Sequence, residues 1–171
     1  MKRRLVPALA ALMLLGPVAV SAARAADEPI SAEEAAFDKA FTDAVKEARA
    51  SLPVFWMRLA ETPANDPDIF QLKVAFRAPK GGGEEIWLSD VKRDGSRITG
   101  RLNYDPESIP GLHRGQIVPI PEASIIDWTF KEGRKRYGHY TTRVLAKVHP
   151  EESAKAMAQL SDNPLPADAR K

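Results

Sequence analysis

Cysteine is absent from this 171-residue chain, so no disulfide braces the fold and no thiolate is available as a nucleophile, zinc ligand or iron–sulfur anchor. Histidine is scarce: His113, His139 and His149 fall one to a segment, with no His-Glu-x-x-His run. Asn65-Asp66-Pro67-Asp68 lacks the later glycine and glutamate of a calcium loop. No metal and no cofactor is expected. A Gly-x-Ser-x-Gly elbow is missing as well, and the glycines of Pro79-Lys80-Gly81-Gly82-Gly83 lack the Gly-Lys-Ser/Thr of a phosphate loop. That stretch reads as a hairpin tip. After position 25 no apolar run is long enough to cross a bilayer, which takes about 20 residues.

Acidic residues are missing from the first 25 positions, which hold Lys2, Arg3, Arg4 and Arg24. The other 146 residues carry 21 basic against 23 acidic residues, so the formal charge of +2 for the whole chain becomes −2 without them. Basic Met1-Lys2-Arg3-Arg4, the Ala/Leu/Val run from Leu5 to Val20 and small Ala23 and Ala25 have the three parts of a secretory signal peptide. Cleavage is expected near Ala25, placing the protein in the periplasm or outside the cell with no transmembrane segment. An acidic total in that compartment argues against nucleic acid as a partner. One core is expected from a chain of this size.

Ser31-Ala32-Glu33-Glu34 has the form of a capping box, and Phe37, Ala40, Phe41, Ala44, Val45 and Ala48 follow at steps of three and four. A second helix is expected from Ser51-Leu52-Pro53 through Phe55, Trp56 and Leu59, ending before Thr62-Pro63. The period then changes to two. Strands are expected around Phe70–Phe76, Glu85–Lys92, Arg97–Asn103, Gly115–Ile120 and Ser124–Phe130, with Asp94-Gly95 as a hairpin and Pro119 as an edge or bulge. Trp87 and Trp128 sit inside alternating strands and are expected in the core. Lys131 to Tyr137 reads as a charged turn. Thr141 or Thr142 is expected to cap a helix, and Pro150 to start another. The fold class is therefore α+β: N-terminal helices on a curled, roughly five-stranded antiparallel sheet, open or closed into a small barrel, followed by C-terminal helices. The expected boundaries are a signal peptide at 1–25, an extension with the helix start at 26–36, one domain at 37–160 and a disordered tail at 161–171.

Chemistry concentrates between positions 127 and 143. Asp127 alternates with Trp128, and Gly138-His139-Tyr140-Thr141-Thr142-Arg143 returns after one turn. Two readings stand. In the catalytic one, Asp127 is a general base or ligand anchor, His139 its proton partner and Arg143 an anion clamp. In the structural one, Asp127 is a buried acceptor that pairs with Arg143 or caps the Thr141 helix. A basic cluster formed by Lys131, Arg134, Lys135 and Arg136 is a candidate surface for anionic lipid head groups or acidic envelope polymers.

Phe70-Gln71-Leu72-Lys73-Val74, Glu85-Ile86-Trp87-Leu88, Gly100-Arg101-Leu102-Asn103-Tyr104-Asp105-Pro106, Gly115-Gln116-Ile117-Val118, Ile126-Asp127-Trp128 and Gly138-His139-Tyr140-Thr141-Thr142-Arg143 together resemble the YegJ-like bacterial family, domain of unknown function 2314. The likeness runs from about Phe37 to Leu160. It implies a shared pattern that includes Trp87, Asn103, Asp127, Trp128, Thr141 and Arg143, and adds Asn103 to the candidate binding residues. It carries no catalytic residues to transfer. The expected function is a secreted or periplasmic non-enzymatic binding module of the cell envelope, its partner a protein or an anionic envelope component. The alternatives are an envelope-acting enzyme using Asp127, His139 and Arg143, and a protein-neutralising or chaperone-like binder working through the strand edge at Gly115–Ile120.

Overall fold

A computed structural model describes residues 30–62, 66 and 68–170. The expected signal peptide, residues 26–29 and most of the loop before Asp68 lie outside the described residues. Helix α1 (Ala32–Ala50) opens with the anticipated capping box: the Glu34 amide donates to Ser31 Oγ at 3.1 Å and the Ser31 amide to Glu34 Oε2 at 2.8 Å. Helix α2 (Leu52–Glu61) has Pro53 in its first turn. Its N-cap Ser51 caps nothing through its side chain; the hydroxyl donates instead to the Glu47 and Ala48 carbonyls at the end of α1.

Six strands follow: β1 (Phe70–Arg77), β2 (Gly83–Asp94), β3 (Arg97–Leu102), β4 (Ile117–Pro119), β5 (Ile125–Glu132) and β6 (Lys135–Gly138). They form one antiparallel sheet in the order β4-β3-β2-β1-β5-β6, which does not close on itself. The barrel alternative is thereby set aside. The sixth strand is where the charged turn was expected. Gly133, at φ 59°, lets the chain reverse within two residues, and Tyr137 then packs on Phe130 with ring centroids 5.4 Å apart. Helices α3 (Tyr140–Val148) and α4 (Pro150–Met157) complete the domain. Among the described residues no helix is long and apolar enough to cross a membrane.

One face of the sheet carries Phe70, Leu72, Val74, Ile86, Leu88, Trp128 and Phe130, all buried. Phe55 from α2 meets Phe70 and Trp128 with centroids 5.6 and 5.9 Å away, and burying such a ring contributes about 1.5–3 kcal/mol. Trp128 also donates from Nε1 to the Ala48 carbonyl at 2.9 Å, so one indole fastens the sheet to the α1–α2 junction.

Trp87 is a correction. Because Ile86 and Leu88 take the core side of β2, Trp87 points to the other face, where it is half-buried. The segment from Ser161, expected to be disordered, also packs on the body of the domain. Pro164 accepts from the Gly138 amide at 2.8 Å, Leu165 joins the core, and Asp168 forms an ion pair with Arg58 at 2.6 Å.

Gly138 sits where β6 gives way to α3, at φ 77°. A Cβ there would lie 2.0 Å from the Trp128 carbonyl oxygen and 2.7 Å from its ring. Gly138→Ala is therefore expected to cost at least about 3 kcal/mol, read as a lowered urea midpoint, since both the conformation and the space favour glycine.

Candidate functional site

Strand β5 carries a bulge. Lys73 of β1 pairs with Asp127, but Val74 pairs with Ile125, so Ile126 is an extra residue. Lys73 also pairs with Trp87 on β2. Trp87, Lys73 and Asp127 thus form a row across three strands on the face opposite the aromatic core. Lys73, on the polar side of the β1 alternation, is nevertheless buried, held 2.5 Å from Glu85 and lying over the Phe41 ring at 5.6 Å.

Asp127 is wholly buried. Its Oδ1 accepts from the Trp128 and Tyr140 amides at 2.8 and 3.1 Å, and its Oδ2 from the Thr141 amide and hydroxyl at 2.8 and 2.7 Å. Three of these donors are backbone N–H groups, two of them in the first turn of α3. The carboxylate therefore caps α3 from a strand 13 residues upstream, where the helix dipole favours negative charge. This corrects the expectation that Thr141 or Thr142 is the cap. His139 occupies the N-cap position and makes no side-chain capping bond. Burial pushes the Asp127 pKa up, and the four hydrogen bonds pull against it.

His139 is one of two non-glycine residues described at positive φ, with φ 57° and ψ 41°. Its amide donates to the Trp128 carbonyl at 2.9 Å. The ring lies 4.8 Å from the Trp87 ring, and Nδ1 is 3.1 Å from Thr142 Oγ1. Burial, followed by the charges of Arg136, Arg143 and Lys73, lowers its pKa to about 3, leaving the imidazole neutral at ordinary pH. Arg143 donates from Nε to the Gly138 carbonyl at 3.1 Å and from Nη2 to that of Ser161 at 2.8 Å. Asp127, His139 and Arg143 share one neighbourhood, yet no hydrogen bond or ion pair joins any two of them among the described residues.

The basic residues separate. Lys131 and Arg134 are exposed on the β5–β6 hairpin, and Lys135 Nζ lies 3.4 Å from the Leu160 carbonyl. Arg136 is half-buried, donating from Nη2 to the Asp68 carbonyl at 3.1 Å, while its Nη1 is buried without a partner. Asn103 is elsewhere, accepting from buried Ser89 at 2.6 Å. Ser89 and Lys92 have Ser-x-x-Lys spacing, but a β-bulge separates them, and Lys92 lies 3.6 Å from Asp90. Arg136 and His139 do line one groove of about 410 Å³, together with Gln71 of β1 and Gln159. Neither glutamine was visible as a site residue, because only strand register and the turn after α4 bring them here. No group of three or more His, Asp or Glu side chains fit to hold a metal occurs among the described residues.

Residues 38–160 match the profile of a family described as an uncharacterized protein conserved in bacteria, DUF2314. The chain belongs to the DUF2314 family. It is 32% identical over 119 residues to the uncharacterized protein YegJ of Escherichia coli strain K12, covering 69% of this chain and 75% of that one. It is 28% identical over 142 residues to a putative ankyrin repeat protein of Neisseria meningitidis serogroup B, covering 81% of this chain and 53% of that protein, about half its length. No solved structure matches it. The DUF2314 segment contains the Asp127 cap, His139 and the groove, and ends at Leu160, which forms a parallel bridge to Arg136.

The depressed His139 pKa has a consequence for DUF2314 stability. A base whose folded pKa lies below its unfolded value stabilises the fold above the unfolded pKa, and that stability is lost as pH falls through the folded one. Stability is expected to decline between about pH 6.5 and pH 3. His139→Asn, which tolerates the left-handed conformation, should flatten this slope in urea titrations while the NMR-monitored imidazole of the parent stays neutral to about pH 4.

Proposed function

We propose that this DUF2314 protein is an exported, non-enzymatic binding module of the bacterial cell envelope, with residues 1–25 removed as a signal peptide. The observation that carries the binding reading is the occupation of Asp127: three of the hydrogen bonds it accepts come from the turn it caps and the fourth from the Trp128 amide, so both oxygens are taken up by structure and neither is free to act as a base. The other two members of the catalytic reading are committed in the same way. His139 is neutral and wedged against Trp87, and Arg143 braces two backbone carbonyls. Strand addition has less support, because β4 spans three residues and includes Pro119, which lacks an N–H.

The partner is a protein or an anionic envelope component. The exposed Lys131 and Arg134 give the β5–β6 hairpin a cationic end suited to either. Export follows from the basic, apolar and small-residue order of the first 25 positions.

Cell fractionation with a pull-down from envelope extract tests both parts. Periplasmic or secreted protein starting at Ala26, with partner recovery lowered several-fold by Lys131→Ala/Arg134→Ala, is the expected result. Cytoplasmic protein starting at Met1 would refute export, and equal recovery by the variant would remove the hairpin from the binding surface.

A further inference from the structure

The groove beside His139 concentrates polar groups that lack partners. Gln71 and Arg136 line it from the sheet face of Asp127, on which Gln71, Thr129 and Gly138 are consecutive register neighbours across β1, β5 and β6. Thr129, on that face but beneath the lining, is wholly buried, and its hydroxyl makes no hydrogen bond among the described residues. Arg136, two residues before Gly138 and so on the same face, holds Nη1 buried and unpaired. The side chains of Gln71 and Gln159 make no hydrogen bond among the described residues, and His139 uses only Nδ1. Buried polar groups are nearly always satisfied, so the unpaired Arg136 Nη1 at this concavity, with the free side-chain amides of half-buried Gln71 and exposed Gln159 beside it, marks a place for a ligand. The neighbouring cap shows what the fold does without a ligand, for there every acceptor is matched.

Charge narrows the class. The groove's lining includes Arg136, Lys155 and Glu152, one positive charge in excess, with His139 contributing a hydrogen bond and no charge. A monoanion balances that set; a phosphate dianion over-fills it and meets Glu152. The planar guanidinium suits a carboxylate, and Glu152 on α4, exposed and 3.8 Å from His149 Nδ1, suits an ammonium on the carbon that bears it.

We propose that this groove binds a small carboxylate, held by the Arg136 guanidinium and the His139 and Gln71 side chains, of the kind presented by a free amino acid or by the C-terminal residue of a peptide. The inference rests on the binding-module reading and gives it a ligand chemistry. Glu152 separates the two sources: an amino acid places its ammonium there, whereas a peptide terminus presents a neutral amide.

Amide-resolved NMR titration of the purified protein, at up to about 10 mM probe, tests it with L-alanine, N-acetylglycine and inorganic phosphate. Saturable shifts at Gly138, His139 and Gln159 with at least one of the two carboxylates, and weaker or none with phosphate, are expected. Tighter binding of L-alanine, lost several-fold in Glu152→Gln, identifies a free amino acid; tighter binding of N-acetylglycine, unchanged in Glu152→Gln, identifies a peptide terminus. Arg136→Gln should weaken the bound carboxylate at least about tenfold. Should that variant unfold through loss of its Asp68 contact, Gln71→Ala, which breaks no existing bond, should weaken it several-fold. No saturable shift with either carboxylate, shifts confined to the Lys131–Arg134 hairpin, or stronger binding of phosphate would overturn the inference. An envelope pull-down that still recovers a partner would then leave the broader reading standing; loss of both would remove the two together.

Discussion

A single buried carboxylate sets the geometry of the C-terminal half of this molecule. Asp127 leaves β5 next to a bulge and meets the first turn of α3 with both oxygens, accepting two of the amides that open the helix and the Thr141 hydroxyl. A helix of nine residues has little stability of its own in water. Fixing its N-terminus against a central sheet supplies the missing restraint, and the direction of α3 follows from where the oxygens point. Removing one partner from such an arrangement leaves buried donors unpaired, which is costlier than the net worth of the bonds themselves.

Neighbouring features serve the same junction. The chain must pass from β6 into α3 within one residue, and it does so through Gly138 and His139, both at positive φ. The Trp128 carbonyl accepts the His139 amide while the Trp128 side chain turns to the other face and fastens the α1–α2 junction. Arg143 then ties the end of β6 to Ser161, bringing the last segment of chain against the sheet edge. Charge, backbone conformation and aromatic packing therefore converge on one corner. A groove opens beside it, lined by Gln71 and Arg136 from the sheet and by Glu152, Lys155 and Ala156 from α4.

Local rules read the regular elements well. The capping box at Ser31, the three-and-four spacing through Ala48 and the core side of β1 at Phe70, Leu72 and Val74 appear as expected, with Lys73 buried on the other side as the departure. They fail where pairing is non-local. Strand β6 is hidden by its charges, since Lys131 to Arg136 looks like a solvated turn until Tyr137 is seen to lean on Phe130. The cap of α3 comes from another strand: local pattern points to the adjacent Thr141 or Thr142, and Asp127 enters only as one of two structural alternatives. Trp87 illustrates a different fault: a tryptophan inside an alternating strand is expected in the core, yet the same alternation that buries Ile86 and Leu88 sends it to the far face. Of the candidate site, Asp127, His139 and Arg143 were recognisable as neighbours. Capping of the Thr141 helix is among the roles open to Asp127 from the pattern, but the choice between cap, ion pair and base is not legible there, because hydrogen-bond saturation is a property of the folded backbone and no residue pattern encodes it.

The claim that Asp127 is a structural cap is tested most directly by comparing Asp127→Asn and Asp127→Ala in urea unfolding with amide hydrogen exchange. Asn keeps one acceptor oxygen and turns an amide donor toward Thr141, so a loss of about 1–3 kcal/mol is predicted; Ala removes every acceptor and should cost about 3 kcal/mol or more. In both, exchange at Tyr140 and Thr141 should rise well ahead of exchange in β1 and β2. An Ala variant within about 0.5 kcal/mol of the parent, with Tyr140 and Thr141 still protected, would contradict the account.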